Sequence, residues 1–200
     1  IIVSLTSYPK RISTVCQTIQ TILKQTFQAD KIVLWLASEQ FPDGTKCLPG
    51  DLLKLQSEQF EIRWTEDIKS YKKLIPALSA FPDAIIITVD DDLLFESTLI
   101  EKLVNGYLNA PKYIQCHRIT AIEYNGFDDI KIVPNASKIY HKPAYLHKLS
   151  GGAGCLYPPH CLHPDVMRKD LFMKLAPTSD DIWFWLMGVL NGVRVNVVEN

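Results

Sequence analysis

Apolar residues fall in short blocks along the chain, separated by polar stretches. Blocks at 1–6, 31–37, 60–65 and 85–89 are rich in β-branched and aromatic residues and predict four strands. The run Ile85-Ile86-Ile87-Thr88-Val89 does not alternate, as expected of a strand buried on both faces of a parallel sheet. Between the first two strands, Ile12, Val15, Ile19, Ile22 and Leu23 keep helical spacing and predict a helix over 12–24, with Ser7 or Ser13 near its start. Further helices are predicted over 51–57, 70–80 (bounded by Pro82) and 96–109. Strand and helix alternate through residue 110, which predicts an α/β fold: a mostly parallel central sheet flanked by helices.

Beyond residue 110 the pattern weakens. Residues 113–119 read as a strand, but 121–149 show little periodicity and carry Pro134 and Pro143. A stretch that long and irregular predicts a functional loop or flap. Helices are predicted over 166–175 and 181–190, and a last strand over 193–198. No repeat or linker marks a second domain, so residues 1–200 are read as one domain with a regular half, 1–110, and a less regular half, 111–200. The chain starts inside a strand and stops just after another, and is expected to be a piece of a longer protein.

Composition narrows the function. With 47% apolar and 22% charged residues, the chain suits a soluble globular domain with a sizeable core. Its 21 basic and 22 acidic residues carry no signature of nucleic-acid binding. The 5 cysteines are odd in number and lack CxxC spacing, so they are expected to be reduced thiols of a cytoplasmic protein. No apolar run reaches the roughly 18 residues that span a membrane. The histidines show no compact zinc spacing. Asn135-Ala136-Ser137 fits a glycosylation sequon, which a cytoplasmic protein would carry by chance.

Five segments hold candidate chemistry. Asp90-Asp91-Asp92 ends the fourth strand, where ligands of open α/β sheets sit. Adjacent carboxylates repel unless something positive offsets them. Mn²⁺ or Mg²⁺, shared with a substrate phosphate, would do so; a solvated turn or a helix cap is the plain alternative. Neighbouring side chains of an extended segment alternate in direction, which pairs Asp90 with Asp92. Asp92 is the expected direct ligand, and Asp90 lies nearer a sugar hydroxyl or a metal-bound water. After the third strand, Asp67, Lys72 and Lys73 offer an acceptor for a base N–H and cations for phosphates, or simply a capped helix start. After the first strand, Tyr8 offers a stacking face and Arg11 a cation beside Thr6. Gly151-Gly152-Ala153-Gly154 allows close backbone approach, either under a substrate or as a bend. Asp180 and Asp181 precede Trp183 and either cap a helix or supply a general base beside aromatic walls.

Taken in order, these pieces resemble the nucleotide-sugar glycosyltransferases of GT-A fold, close to bacterial family 2. The resemblance rests on Thr6-Ser7-Tyr8-Pro9, residues 67–78, Asp90-Asp91-Asp92, the glycine turn and Asp180-Asp181, and spans nearly the whole chain. It implies a Rossmann-like sheet and a donor site built from Thr6, Tyr8, Arg11, Asp67, Lys72, Lys73, Asp90 and Asp91. It also implies Mn²⁺ or Mg²⁺ on Asp90 and Asp92, with Asp181 or Asp180 as catalytic base. Gly151, Gly152 and Trp183 fall on the acceptor side. The implied reaction moves a sugar, with UDP as the expected carrier, to a glycan or lipid-linked acceptor with inversion, in the cytoplasm or at the inner face of the membrane. The second strand ends in Ala37-Ser38-Glu39 where an Asp is common, and no His or basic motif closes the donor site; the base and sugar stay open. The rival readings are a Mg²⁺-dependent nucleotidyltransferase or phosphohydrolase, and a non-catalytic carbohydrate-binding module. The first would want a Gly-rich phosphate loop after strand one, where Thr6-Ser7-Tyr8-Pro9 stands instead.

Overall fold

The computed structural model describes residues 1–198. Its centre is a seven-stranded sheet in the order β10-β5-β9-β4-β1-β2-β3. The strands are β1 (Ile2–Thr6), β2 (Lys31–Ala37), β3 (Phe60–Thr65), β4 (Ile86–Thr88), β5 (Ile114–Cys116), β9 (Cys155–Tyr157) and β10 (Val195–Val197). All run parallel except β9, which lies antiparallel between β4 and β5. The fold is α/β with a mostly parallel sheet, as the alternation of elements predicted.

Period-two alternation splits each strand between two cores. One face buries Val3, Leu5, Ile32 and Leu34 against α1 (Val15–Leu23) and α4 (Leu99–Asn109). The other buries Ile2, Val33 and Trp35 with side chains of α3 (Ile75–Ala80), α5 (Lys169–Leu175) and α6 (Asp180–Leu190). On this second face Tyr71 stacks on Phe172 at 4.2 Å between centroids, an arrangement that adds to simple burial.

Three predicted elements differ from what forms. The 70–80 helix is a 3₁₀ turn, Lys69–Lys73, followed by α3. Leu74, at φ −125°, leaves the helical region between them, and Pro76, which has no N–H to donate, opens α3. The 113–119 run splits between β5 and β6 (Ile119–Gly126). The expected loop over 121–149 instead contains a second, three-stranded sheet, ordered β7-β6-β8, with β7 (Asp129–Val133) and β8 (His147–Leu149). Its hairpin turns at Phe127-Asp128, just after a bulge between Tyr124 and Gly126 in β6. Among the described residues no helix is long and apolar enough to cross a membrane.

The topology fixes where a site can lie. From β1 the chain moves outward to β2 and β3, then crosses back to β4 on the other side of β1. Between the C-terminal ends of β1 and β4 the connections diverge and leave a crevice, the usual ligand position of open α/β sheets.

Candidate active site

A cleft of about 460 Å³ opens at that crevice. Thr6, Tyr8 and Arg11 reach it from the turn after β1, Asp67, Lys72 and Lys73 from the segment after β3, Asp90 and Asp91 from the end of β4, and Asp180 and Asp181 from the first turn of α6. Ten side chains chosen from sequence thus share one cavity.

The acids after β4 divide the labour unevenly. Asp91 is buried, and both its oxygens are engaged: Ser7 Oγ–H donates to Oδ2 at 2.6 Å and Arg11 Nη1 to Oδ1 at 2.9 Å. Its carbonyl accepts from Thr18. Asp91 therefore pins the turn after β1 to the end of β4. Asp90 Oδ1 accepts from Lys73 Nζ at 2.6 Å, and Asp92 Oδ2 meets Arg11 Nη1 at 3.0 Å. Among the described residues, the second oxygen of each of these two carboxylates takes no hydrogen bond or ion pair. Asp92 stands at the rim, outside the cavity lining.

Lys73 is the electrostatic centre. Its side chain is 6% exposed, and Nζ lies 2.6 Å from Asp90 and 3.2 Å from Asp180 Oδ2. Burial alone would favour the neutral amine, but the carboxylates of Asp180, Asp90 and Asp181 outweigh it and hold the ammonium above the usual lysine range. The backbone beneath is anchored, since Ser4 Oγ–H donates to the Lys73 carbonyl and Trp35 Nε1–H donates to Ser4 Oγ. Farther out, Asp67 collects Lys72 Nζ at 2.6 Å, the Lys69 N–H at 3.0 Å and Gln40 Nε2 at 2.7 Å. Burial would raise its carboxyl, yet these donors, Lys72 first, hold it below the ordinary aspartate value.

Asp181 has the opposite balance. Burial, then the neighbouring Asp180 charge, raises its carboxyl above the ordinary value, with Lys73 only partly offsetting them. Its Oδ1 accepts the Gly151 N–H at 3.0 Å, so the glycine turn orients it. The turn also supports the opposite acid. The Asp90 N–H donates to the Gly152 carbonyl at 2.9 Å, and Thr88 Oγ1–H to the Gly151 carbonyl at 2.9 Å. A Cβ on Gly152 would fall 1.8 Å from Asp90 Oδ2. Gly151 and Gly152 therefore lie behind the acids rather than on the cavity wall.

Trp183 is placed elsewhere. The α6 stripe that faces inward is Asp180, Trp183, Phe184, Met187 and Gly188, the i, i+3, i+4, i+7 spacing of a core face. The Trp183 ring packs edge-on to Phe172, and Nε1–H donates to the Val166 carbonyl at 3.2 Å. It is a core residue and does not line the cleft. Sequence reasoning missed Gln40 and Thr178, which line the cleft. Gln40 follows β2, and its place at a strand's C-terminal end was the available signal. Thr178 had none.

The fold is shared with solved structures. One is S. aureus TarS, residues 1–349: TM-score 0.61, 12% identity, 98% of this chain and 57% of that one covered. Another is 4-diphosphocytidyl-2C-methyl-D-erythritol synthase from Anaerococcus prevotii: TM-score 0.61, 15% identity, 99% of this chain and 86% of that one. The chain spans little more than half the length of the TarS segment. No family model matches the chain, and no curated protein matches it in sequence. The architecture is GT-A-like.

Proposed function

We propose that the chain is a metal-dependent glycosyltransferase that moves a sugar from a nucleotide diphosphate, of the UDP type, to a hydroxyl of a glycan or lipid-linked acceptor at the cytoplasmic face of the membrane, with inversion. The observation that carries this reading is the presence of two kinds of carboxylate at one cleft and its rim. Asp90 and Asp92 each keep one oxygen open, whereas Asp181 is desolvated, oriented by a backbone N–H and raised in proton affinity.

Among the described residues no three metal-binding side chains converge. That donor set still fits Mn²⁺ or Mg²⁺, which commonly take one or two carboxylates and complete their shell with substrate phosphates and water. Asp90 and Asp92 would hold the ion, which when bound stabilises charge on the departing diphosphate. Lys73 adds a fixed positive charge on the same wall. Asp67 and Gln40 present polar atoms at the rim for a base edge, and Tyr8 presents an exposed ring for stacking. Asp181 accepts the proton of the acceptor hydroxyl as that oxygen attacks the anomeric carbon, and a single direct displacement inverts the centre. A raised carboxyl is the better matched base near neutral pH. Asp180, tied to Lys73, holds the lysine in place.

The test is calorimetric binding of a panel of nucleoside diphosphates and triphosphates with and without Mn²⁺. One diphosphate bound tightly only with Mn²⁺, and lost in Asp92→Ala, supports the reading. Absence of binding in every condition overturns it. Turnover of a triphosphate with release of pyrophosphate would replace it with the nucleotidyltransferase.

A further inference from the structure

Arg11, like Lys73, bridges two carboxylates, but its side chain is exposed where that of Lys73 is buried. A single nitrogen, Nη1, sits between two carboxylates, 2.9 Å from Asp91 Oδ1 and 3.0 Å from Asp92 Oδ2. Asp91 is fixed by Ser7 and Thr18 and has no oxygen to offer. Asp92 is different: its side chain is 44% exposed, and Arg11 is its ion-pair partner. The Arg11 backbone is held, since its N–H donates to the Tyr8 carbonyl at 2.9 Å and its own carbonyl accepts from Thr14 Oγ1. The side chain beyond it is 42% exposed, with the guanidinium carbon 5.5 Å from the centre of the Tyr8 ring. It is anchored at its root and free at its head.

We propose that Arg11 is a built-in counter-cation that keeps a divalent metal off Asp92 until a nucleotide diphosphate enters the cleft. This inference rests on the metal and donor roles given to Asp92 and the cleft above. A divalent ion seated on Asp92 would lie within a few ångströms of the guanidinium, where like charges repel strongly in a partly desolvated site. Phosphate oxygens offer the guanidinium an equivalent partner with matching geometry. Arg11 lines the cleft they would enter. By exchanging the carboxylates for the diphosphate, Arg11 uncovers Asp92 as the donor arrives. Metal and nucleotide then strengthen each other's binding, by the same factor in both directions. The cation on Asp90 lacks this freedom: Lys73 is buried, its main chain is bonded to Ser4, and Nζ is shared by Asp90 and Asp180. Arg11 can leave, whereas Lys73 stays.

The experiment is Mn²⁺ titration followed by the electron paramagnetic resonance signal of the free ion, with and without UDP, on the wild type, Arg11→Gln and Arg11→Lys. The wild type is expected to bind Mn²⁺ weakly alone and roughly tenfold or more tightly with UDP, and Arg11→Gln alone to gain a similar factor over the wild type. UDP then changes Mn²⁺ affinity in Arg11→Gln much less. Arg11→Lys keeps the charge and is expected to stay near the wild type, which separates charge from a folding defect. Equal Mn²⁺ affinity in the wild type and Arg11→Gln overturns the counter-cation while leaving the metal site standing. No Mn²⁺ binding by any form, with or without UDP, overturns both.

Discussion

Two acidic clusters meet at one cleft, and they are treated in opposite ways. The acids after β4 are fastened by cations and hydroxyls: Lys73 on Asp90, Arg11 and Ser7 on Asp91, Arg11 on Asp92. The acids of α6 share Lys73 through Asp180 alone, and Asp181 is left with a backbone N–H and a helix N-terminus. Carboxylates engaged by cations and hydroxyls are suited to binding. A carboxylate desolvated beside a like charge has its proton affinity raised, and proton affinity is what a general base uses. The same residue type is thus placed in two electrostatic settings by its neighbours.

The sharpest way to break this contrast is Asp181→Asn. The amide oxygen still accepts from Gly151, so the expected outcome is a kcat lowered by about 10²–10⁴-fold with nucleotide affinity unchanged by calorimetry. Turnover within tenfold of the wild type would mean that Asp181 is no base.

Gly152→Ala probes the contact between the walls. A Cβ placed 1.8 Å from Asp90 Oδ2 must displace that carboxylate. The expected loss of stability is about 1–3 kcal/mol, read by denaturant unfolding, together with weaker Mn²⁺-dependent nucleotide binding.

Stability against pH separates Asp67 from Asp181 by sign. Asp67 is held below its unfolded value, so its contribution is present above the ordinary aspartate range and fades as pH falls through the folded value. Asp181 is raised, so its contribution is present at acid pH and is lost as pH rises through the folded value. Asp67→Asn should therefore lower stability at neutral pH and converge on the wild type in acid. Asp181→Asn should exceed the wild type at neutral pH and converge on it in acid. Parallel curves for the two variants in chemical denaturation would remove the contrast.

The smallest effect is expected far from both clusters. Phe127, at the β6–β7 turn, is 92% exposed, and Phe127→Ser should change stability by less than about 0.5 kcal/mol and leave nucleotide binding intact.

Legibility in the sequence followed burial. β1, β2 and β4 are apolar on both faces, so their runs announced them, and the acids at the end of β4 were legible because they interrupt such a run. The small sheet was not legible from periodicity. β7 is exposed along most of its length, and Ile130 and Ile132 stand in solvent, so no core side imposes a pattern. The antiparallel β9 was hidden for another reason, since its Cys155-Leu156-Tyr157 is three residues long and its partners lie far along the chain. In the site, residues beside strand ends were found, while Trp183 was misread because its helix turns that ring into the core.

β9 also sets an order of events during synthesis. Pairing β4 to β5 requires β9 between them, and β9 is encoded well after both. A nascent chain that has released the first four strands presents β4 as an unpaired edge, the kind of surface that recruits other chains. Long-range closure of this kind is slow. The emerging polypeptide thus has a vulnerable interval, from the release of β4 until Cys155–Tyr157 leaves the ribosome, in which a chaperone would be most useful and a stalled ribosome most harmful.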